Sequence, residues 1–166
     1  VRSDSRFSEI IGTSAALHQF REQVFSVYGT NEGFPSDQPS AVYQHPGGAL
    51  WIGFRDAGLL RRDGTGSFRL TQRDGLPANE VFSIRGTASG DLLVSTRLGL
   101  ARVSGRAVTS LTPVDSFNRL AVYDAVEDRD GRVWLATHDG LIVVERGRQT
   151  RVVAGGALLS SAIVTL

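Results

Sequence analysis

The residues best suited to chemistry in this chain are few. The three histidines, His18, His45 and His138, stand at no metal-ligand spacing such as His-x-x-x-His. Cysteine is absent, which removes disulfides, thiolate nucleophiles and cysteine-held metals. All eighteen positive residues are arginine, so no lysine is present to complete a phosphate-binding P-loop. Glu127, Asp128 and Asp130 place three carboxylates within four residues. Strand alternation would split them between two faces, Asp130 opens an Asp-Gly turn, and the further oxygen ligands of a calcium loop are missing. The expectation is therefore no catalytic group, no metal and no cofactor. The remaining chemistry is recognition: Arg55, Asp56, Arg97, His138 and Asp139 fall in short polar turns, as do Asn31, Glu32, Asp74 and Asn79. A guanidinium offers several donors in a fixed fork, which suits anionic or polyhydroxylated ligands.

The elements that must hold these turns repeat. The stretch "GGALWIGFRDAGLL" (Gly47–Leu60) returns as "DGRVWLATHDGLIV" (Asp130–Val143), and "SGDLLVSTRLGLARV" (Ser89–Val103) stands between them. Gly48, Gly90 and Gly131 are 42 and 41 residues apart, and Leu93 takes the place held by Trp51 and Trp134. "EGFPSD" (Glu32–Asp37) recurs 42 residues later as "DGLPAN" (Asp74–Asn79). Each unit holds four short runs rich in β-formers, separated by glycine turns. Four such runs per unit of this length are the mark of propeller blades.

The expected fold is all-β: a partial β-propeller over 25–166, with blade units at about 36–77, 78–118 and 119–159. A truncated fourth unit starts at 160, where "SSAIVTL" (Ser160–Leu166) aligns with Ala78–Ile84. Trp51, Leu93 and Trp134 should be buried at equivalent places on the second strand of each unit. Gly58, Gly99 and Gly140 should supply the positive φ of tight turns. In the first strand of unit two, simple alternation puts Val81, Ser83 and Arg85 on one side and Phe82, Ile84 and Gly86 on the other. Residues 1–24 stand outside the period as a leader, where Ser14 as a cap and Leu17, Phe20 and Val24 at helical spacing suggest a short helix.

These phrases resemble the two-component regulator propeller repeat, whose pattern runs Asp-x-x-Gly-x-Leu-Trp-Ile-Gly-Thr-x-x-Gly-Leu, preceded by Asp-Gly-Leu-Pro-x-Asn. The matching stretches are "WIGFRDAGL" (Trp51–Leu59), "DGLPANEVFSI" (Asp74–Ile84) and "AVEDRDGRVWLATHDGL" (Ala125–Leu141). The resemblance covers about Phe25 to Leu166. It departs at Leu93 and Phe54, in a first turn one residue longer, and at "SFNRL" (Ser116–Leu120) in place of Asp-Gly-Leu-Pro. It implies a periplasmic or otherwise extracytoplasmic sensor propeller of a bacterial membrane-anchored regulator, non-catalytic itself. The output kinase or cyclase would lie outside this chain. The implied partners are a small molecule or glycan-type ligand and the remaining blades of a longer protein.

Three blades and a fraction cannot close a ring. The chain also lacks methionine, so Val1 is read as a processed or excised start, with a self-associating half-propeller as the alternative. A formal net charge of +1 gives no bias toward nucleic acid, and no apolar run approaches the ~20 residues of a membrane span. Neither nucleic acid nor membrane is an expected contact of this segment. The alternatives in function are a propeller scaffold for protein–protein interaction and a propeller enzyme of lyase or glycosidase type. In an up-and-down meander, the turns between second and third strands share one end with the connections between units. That end is the expected ligand face, because loops on a rigid scaffold carry recognition.

Overall fold

The computed structural model describes residues 10–12, 17–21, 24–112 and 120–152, with side chains from residue 26 onward. Its strands form four antiparallel sheets, each in sequential order. The first sheet contains β1 (Ile10–Gly12), β2 (Leu17–Arg21) and β3 (Val24–Tyr28). Blade one contains β4 (Pro39–Gln44), β5 (Leu50–Phe54), β6 (Leu59–Asp63) and β7 (Gly66–Leu70). Blade two contains β8 (Val81–Gly86), β9 (Leu92–Thr96), β10 (Gly99–Ser104) and β11 (Ala107–Ser110). Blade three contains β12 (Val122–Glu127), β13 (Val133–Thr137), β14 (Gly140–Glu145) and β15 (Arg148–Arg151). The three four-stranded units read from the repeat are thus present. Residues 160–166, expected to open a fourth, lie outside the described residues.

The leader is corrected. Ile10–Gly12, Leu17–Arg21 and Val24–Tyr28 are strands, not a helix. β2 and β3 lie 42 residues ahead of β6 and β7, and Leu17 pairs with Tyr28 as Leu59 pairs with Leu70. Three apolar residues at helical spacing are a weak signal beside Val24, Phe25, Val27 and Tyr28, whose shapes favour a pleated surface. The period therefore begins earlier than Phe25.

Each blade is apolar on both faces, so strand alternation feeds two cores. On β5, Ile52 and Phe54 turn toward the first sheet, where they meet Phe34, Leu60 and the partly buried Tyr28. Trp51 turns the other way, into a cluster with Leu59, Leu70, Val81, Ile84, Leu92 and Val103 between blades one and two. Leu93 and Leu100 meet Val122, Leu135 and Ile142 between blades two and three. The inner strands β4, β8 and β12 lie against one another in succession, and β7, β11 and β15 form the outer edges.

Between neighbouring blades the approach is close. A Cβ on Gly53 would come within 2.5 Å of the Val81 Cγ1, which explains the small residue two places after Trp51. Polar clamps join blades two and three. Arg85 grips the buried Asp124 with Nε–Oδ1 3.1 Å and Nη2–Oδ2 2.6 Å, and Arg102 Nη2 donates to Glu127 at 2.6 Å. Gly58, Gly99 and Gly140 hold φ of 79°, 138° and 103°, as the turns require.

Trp51, Leu93 and Trp134 occupy equivalent register positions, paired with Tyr43, Arg85 and Val126. Their burial differs. Trp51 and Leu93 are 4% and 1% exposed, while Trp134 is only half-buried. The expectation of a buried Trp134 is corrected: its side of β13 faces away from blade two, and no further blade covers it among the described residues. There the indole Nε1 donates to Asp128 at 2.8 Å.

Candidate functional site

The turns and connections expected to share one end do share it. The β5–β6 turn donates from Arg55 N to Gln38 O at 3.0 Å and from Gly58 N to Asn79 O at 2.9 Å. The β9–β10 turn donates from Arg97 N to Glu80 O at 3.1 Å. The Gly48, Gly90 and Gly131 turns belong to the opposite end, and so does His45, whose Nε2 bridges to Gly90 O of the next blade at 3.0 Å. His45 is therefore an inter-blade contact, not the freely solvated turn residue that its place in the sequence suggests.

The connections themselves are built by a repeated device. Thr71 N and Oγ1 both donate to Asp74, at 2.8 and 2.9 Å, and Gln72 N donates to Asn79 at 2.9 Å. Forty-two residues earlier, Gly29 N donates to Glu32 at 2.7 Å and Thr30 N to Asp37 at 2.6 Å. Each pair folds a single-turn 3-10 helix, Thr30–Glu32 or Gln72–Asp74, capped by its own carboxylate. The Thr71 hydroxyl and amide hold the Asp74 carboxyl below its ordinary range. Glu32, Asp74 and Asn79 are thus occupied in shaping the loops. Asn31 stays exposed at the tip of the first of them.

Two of the candidate residues meet in a cleft. Arg97, Leu98, Ala121, Tyr123 and His138 line a space of about 440 Å³ between blades two and three. Arg97 is 68% exposed and leans on Glu80 with Nη1–Oε2 3.3 Å. His138 Nε2 lies 3.2 Å from Asp139 Oδ1. Arg151 joins from the outer strand, donating from Nη2 to the Asp139 carbonyl at 2.7 Å. Arg55 and Asp56 are exposed on the equivalent turn of blade one but do not line this cleft.

Tyr123 was not expected here. The pairing of each inner strand with its neighbour skips one residue near this end: Ser40 in β4, Phe82 in β8 and Tyr123 in β12. Such a β-bulge bends the strand and re-aims a side chain. It also corrects the alternation read for β8, since the extra residue lets Val81 and Ile84 share one core. The Phe82 and Tyr123 rings meet with centroids 5.6 Å apart and a 44° tilt. Aromatic residues at the start of a strand were visible in the sequence. The bulge that turns Tyr123 to the cleft was not.

The carboxylates at the other end are consumed structurally. Asp128 accepts from Trp134 Nε1, from Arg132 Nε at 2.8 Å and from the backbone of Asp130 and Arg132. Chiefly through the Trp134 bond, its pKa is lowered to about 2. Among the described residues, no three His, Asp or Glu side chains converge as a cation site, and no helix is long and apolar enough to cross a membrane.

The sheets define the class: antiparallel four-stranded blades around a common inner edge are part of a β-propeller. The model of the two-component regulator propeller family ("Two component regulator propeller") matches residues 116–139, a stretch that takes in β12 and β13 of blade three. No curated protein matches the chain. Among solved structures it is similar to the extracellular domain of BT3049 from B. thetaiotaomicron, described as a hybrid two component system. The TM-score is 0.69 at 21% identity, over 89% of this chain and 22% of that one. The extracellular domain of BT4673, described in the same way and from the same organism, gives 0.55 at 17% identity, over 99% and 29%. Virginiamycin B lyase from Staphylococcus aureus, in a catalytically inactive form with quinupristin, gives 0.62 at 10% identity, over 87% and 51%. The chain thus spans less than a third of the two extracellular domains it resembles, and at these identities the likeness is one of fold.

Proposed function

We propose that this chain is part of the sensor propeller of a bacterial membrane-anchored signal-transduction regulator, placed outside the cytoplasm and binding a small ligand without breaking a bond in it. The observation that carries the reading is the family match at 116–139 ending on the very turn, His138–Asp139, that forms one wall of the cleft. The relatives of similar fold that are extracellular domains support the location. The cleft's volume falls in the range of small-molecule sites, which supports binding. The blades beyond this segment would supply the rest of the ring.

Two measurements test it in the full-length protein. The chain has no cysteine, so Gly64→Cys, at an exposed turn with open space around it, gives one new thiol in this segment. A membrane-impermeant maleimide should label it in intact cells, in excess over the unaltered protein. Labelling only after lysis contradicts the location. Arg97→Ala and His138→Ala should blunt the regulator's output to its inducing medium, and full output from both would sink the ligand face. Turnover of any compound at the cleft, lost in His138→Ala, would instead favour an enzyme.

A further inference from the structure

The cleft has a definite chemistry, and it is not that of a simple anion site. Among the described residues, each basic side chain at its rim already faces a carboxylate: Arg97 lies 3.3 Å from Glu80, His138 lies 3.2 Å from Asp139, and Arg151 Nη2 lies 3.8 Å from the same Asp139. With His138 counted as neutral, these two arginines and two acids sum to no formal charge. A bare anion would have to compete with Glu80 and Asp139 for their partners. A hydroxyl or amide can instead accept from the cation and donate to the carboxylate of one pair. The same space is lined by Leu98, which is 40% exposed on its turn, and by Tyr123. The bulge brings Tyr123 to the cleft, and the Phe82 ring behind it, at 5.6 Å, holds it there.

We propose that the cleft takes a ligand presenting the flat face of an uncharged ring to Tyr123 and Leu98, with polar groups on the ring's edge meeting the Arg97–Glu80 and His138–Asp139 pairs. This rests on the ligand-binding reading above and narrows it to a chemical class. An aromatic ring and the C–H face of a pyranose share that chemistry, since both stack on a tyrosine. The volume of about 440 Å³ suits one or two such rings. Tyr123 and Leu98 are then the residues that set specificity, and the arginine and histidine turns orient the ring's edge.

The test is saturation-transfer NMR on the full-length protein with indole and methyl β-glucopyranoside as ring probes, and phosphorus line-broadening with inorganic phosphate as the bare-anion probe. At least one ring probe should receive saturation. Tyr123→Ala and Leu98→Asp should each weaken it about tenfold or more, while Tyr123→Phe should keep it within about threefold. If Tyr123→Ala fails to fold, Leu98→Asp carries the test from an exposed turn. Indole alone would identify an aromatic ligand, and the glucoside alone a sugar face; either upholds the proposal. Three results overturn it: neither ring probe binds, both substitutions leave ring-probe affinity unchanged, or phosphate binds with an Arg97 dependence while the rings do not. A regulator whose output still depends on Arg97 while the ring probes fail would lose the ring platform and keep the sensor role.

Discussion

Replacing Trp51 by alanine should cost about 3–5 kcal/mol, the range for truncating a large aromatic in a packed core. Trp51 is 4% exposed and sits wholly between blades one and two, so no blade beyond the described residues enters the estimate. Its ring meets Phe68 edge-on at 5.8 Å and 89°, a contact that supplies roughly 0.5–1.5 kcal/mol of the total. The Arg61 guanidinium lies 6.0 Å from the ring and is partly solvated, so it adds only about 0.5–1 kcal/mol. The remainder comes from lost apolar burial and the cavity between Val81, Ile84 and Leu92. Leucine should be milder, because Leu93 already fills the equivalent register position in blade two at 1% exposure. Urea unfolding of the full-length protein, followed by circular dichroism, measures both. With a slope of about 1–3 kcal/mol/M, the alanine variant should lose about 1 M or more in midpoint. A cost below about 1 kcal/mol, or leucine as damaging as alanine, would refute the inter-blade packing.

Further outcomes follow from the seams and the turns. Gly53→Val should destabilise by about 1–3 kcal/mol through overpacking against Val81, whereas Gly64→Ala, with open space around it, should not; paired melting curves decide. Asp128, whose pKa falls from 3.8 to about 2, contributes stability that is present above about pH 4 and lost as pH falls toward 2. The melting difference between the native protein and Asp128→Asn should therefore shrink between pH 4 and pH 2, and a difference constant with pH would contradict the Trp134–Asp128 bond. Asp74→Ala should loosen the 71–80 connection, read as faster amide exchange at Thr71 and Gln72, because both the Thr71 amide and hydroxyl lose their acceptor. Unchanged exchange there would remove the capping role.

The period was legible because turns and inter-blade seams constrain residue type strongly. A left-handed turn demands glycine at Gly58, Gly99 and Gly140, and the close approach of Val81 demands a small residue at Gly53. The first sheet escaped notice because most of those markers are missing from it, although Gly12 pairs with Leu17 as Gly53 pairs with Leu59. By the same 42-residue offset, Ala16 stands where Gly58 would and Val24 where Gly66 would, and Ile10, which pairs with Gln19 as Trp51 pairs with Arg61, takes the tryptophan position. Its strands form by pairing, which propensity and spacing register poorly over five residues.

The candidate site divides in the same way. That Arg97 and His138 reach the same end was legible, since alternating turns fix which end a residue reaches without any knowledge of its side chain. The loop-shaping bonds of Glu32 and Asn79 were not legible, because a carboxylate or amide looks alike in sequence whether it binds a ligand or its own loop's amides. Tyr123 was hidden by a bulge, whose extra residue reverses the face that strict alternation assigns. Leu98 looked like any turn residue until Ala121 and Tyr123 were set beside it.

The most direct test of a ligand face at the Arg97–His138 end is amide hydrogen exchange on the full-length protein, with and without the small-molecule fraction of the medium that triggers its output. Slowed exchange should concentrate at Arg97, Leu98, His138 and Asp139, with the Gly48, Gly90 and Gly131 turns at the opposite end unchanged. Protection at those glycine turns instead, or none anywhere in this segment while the output responds, would contradict the account.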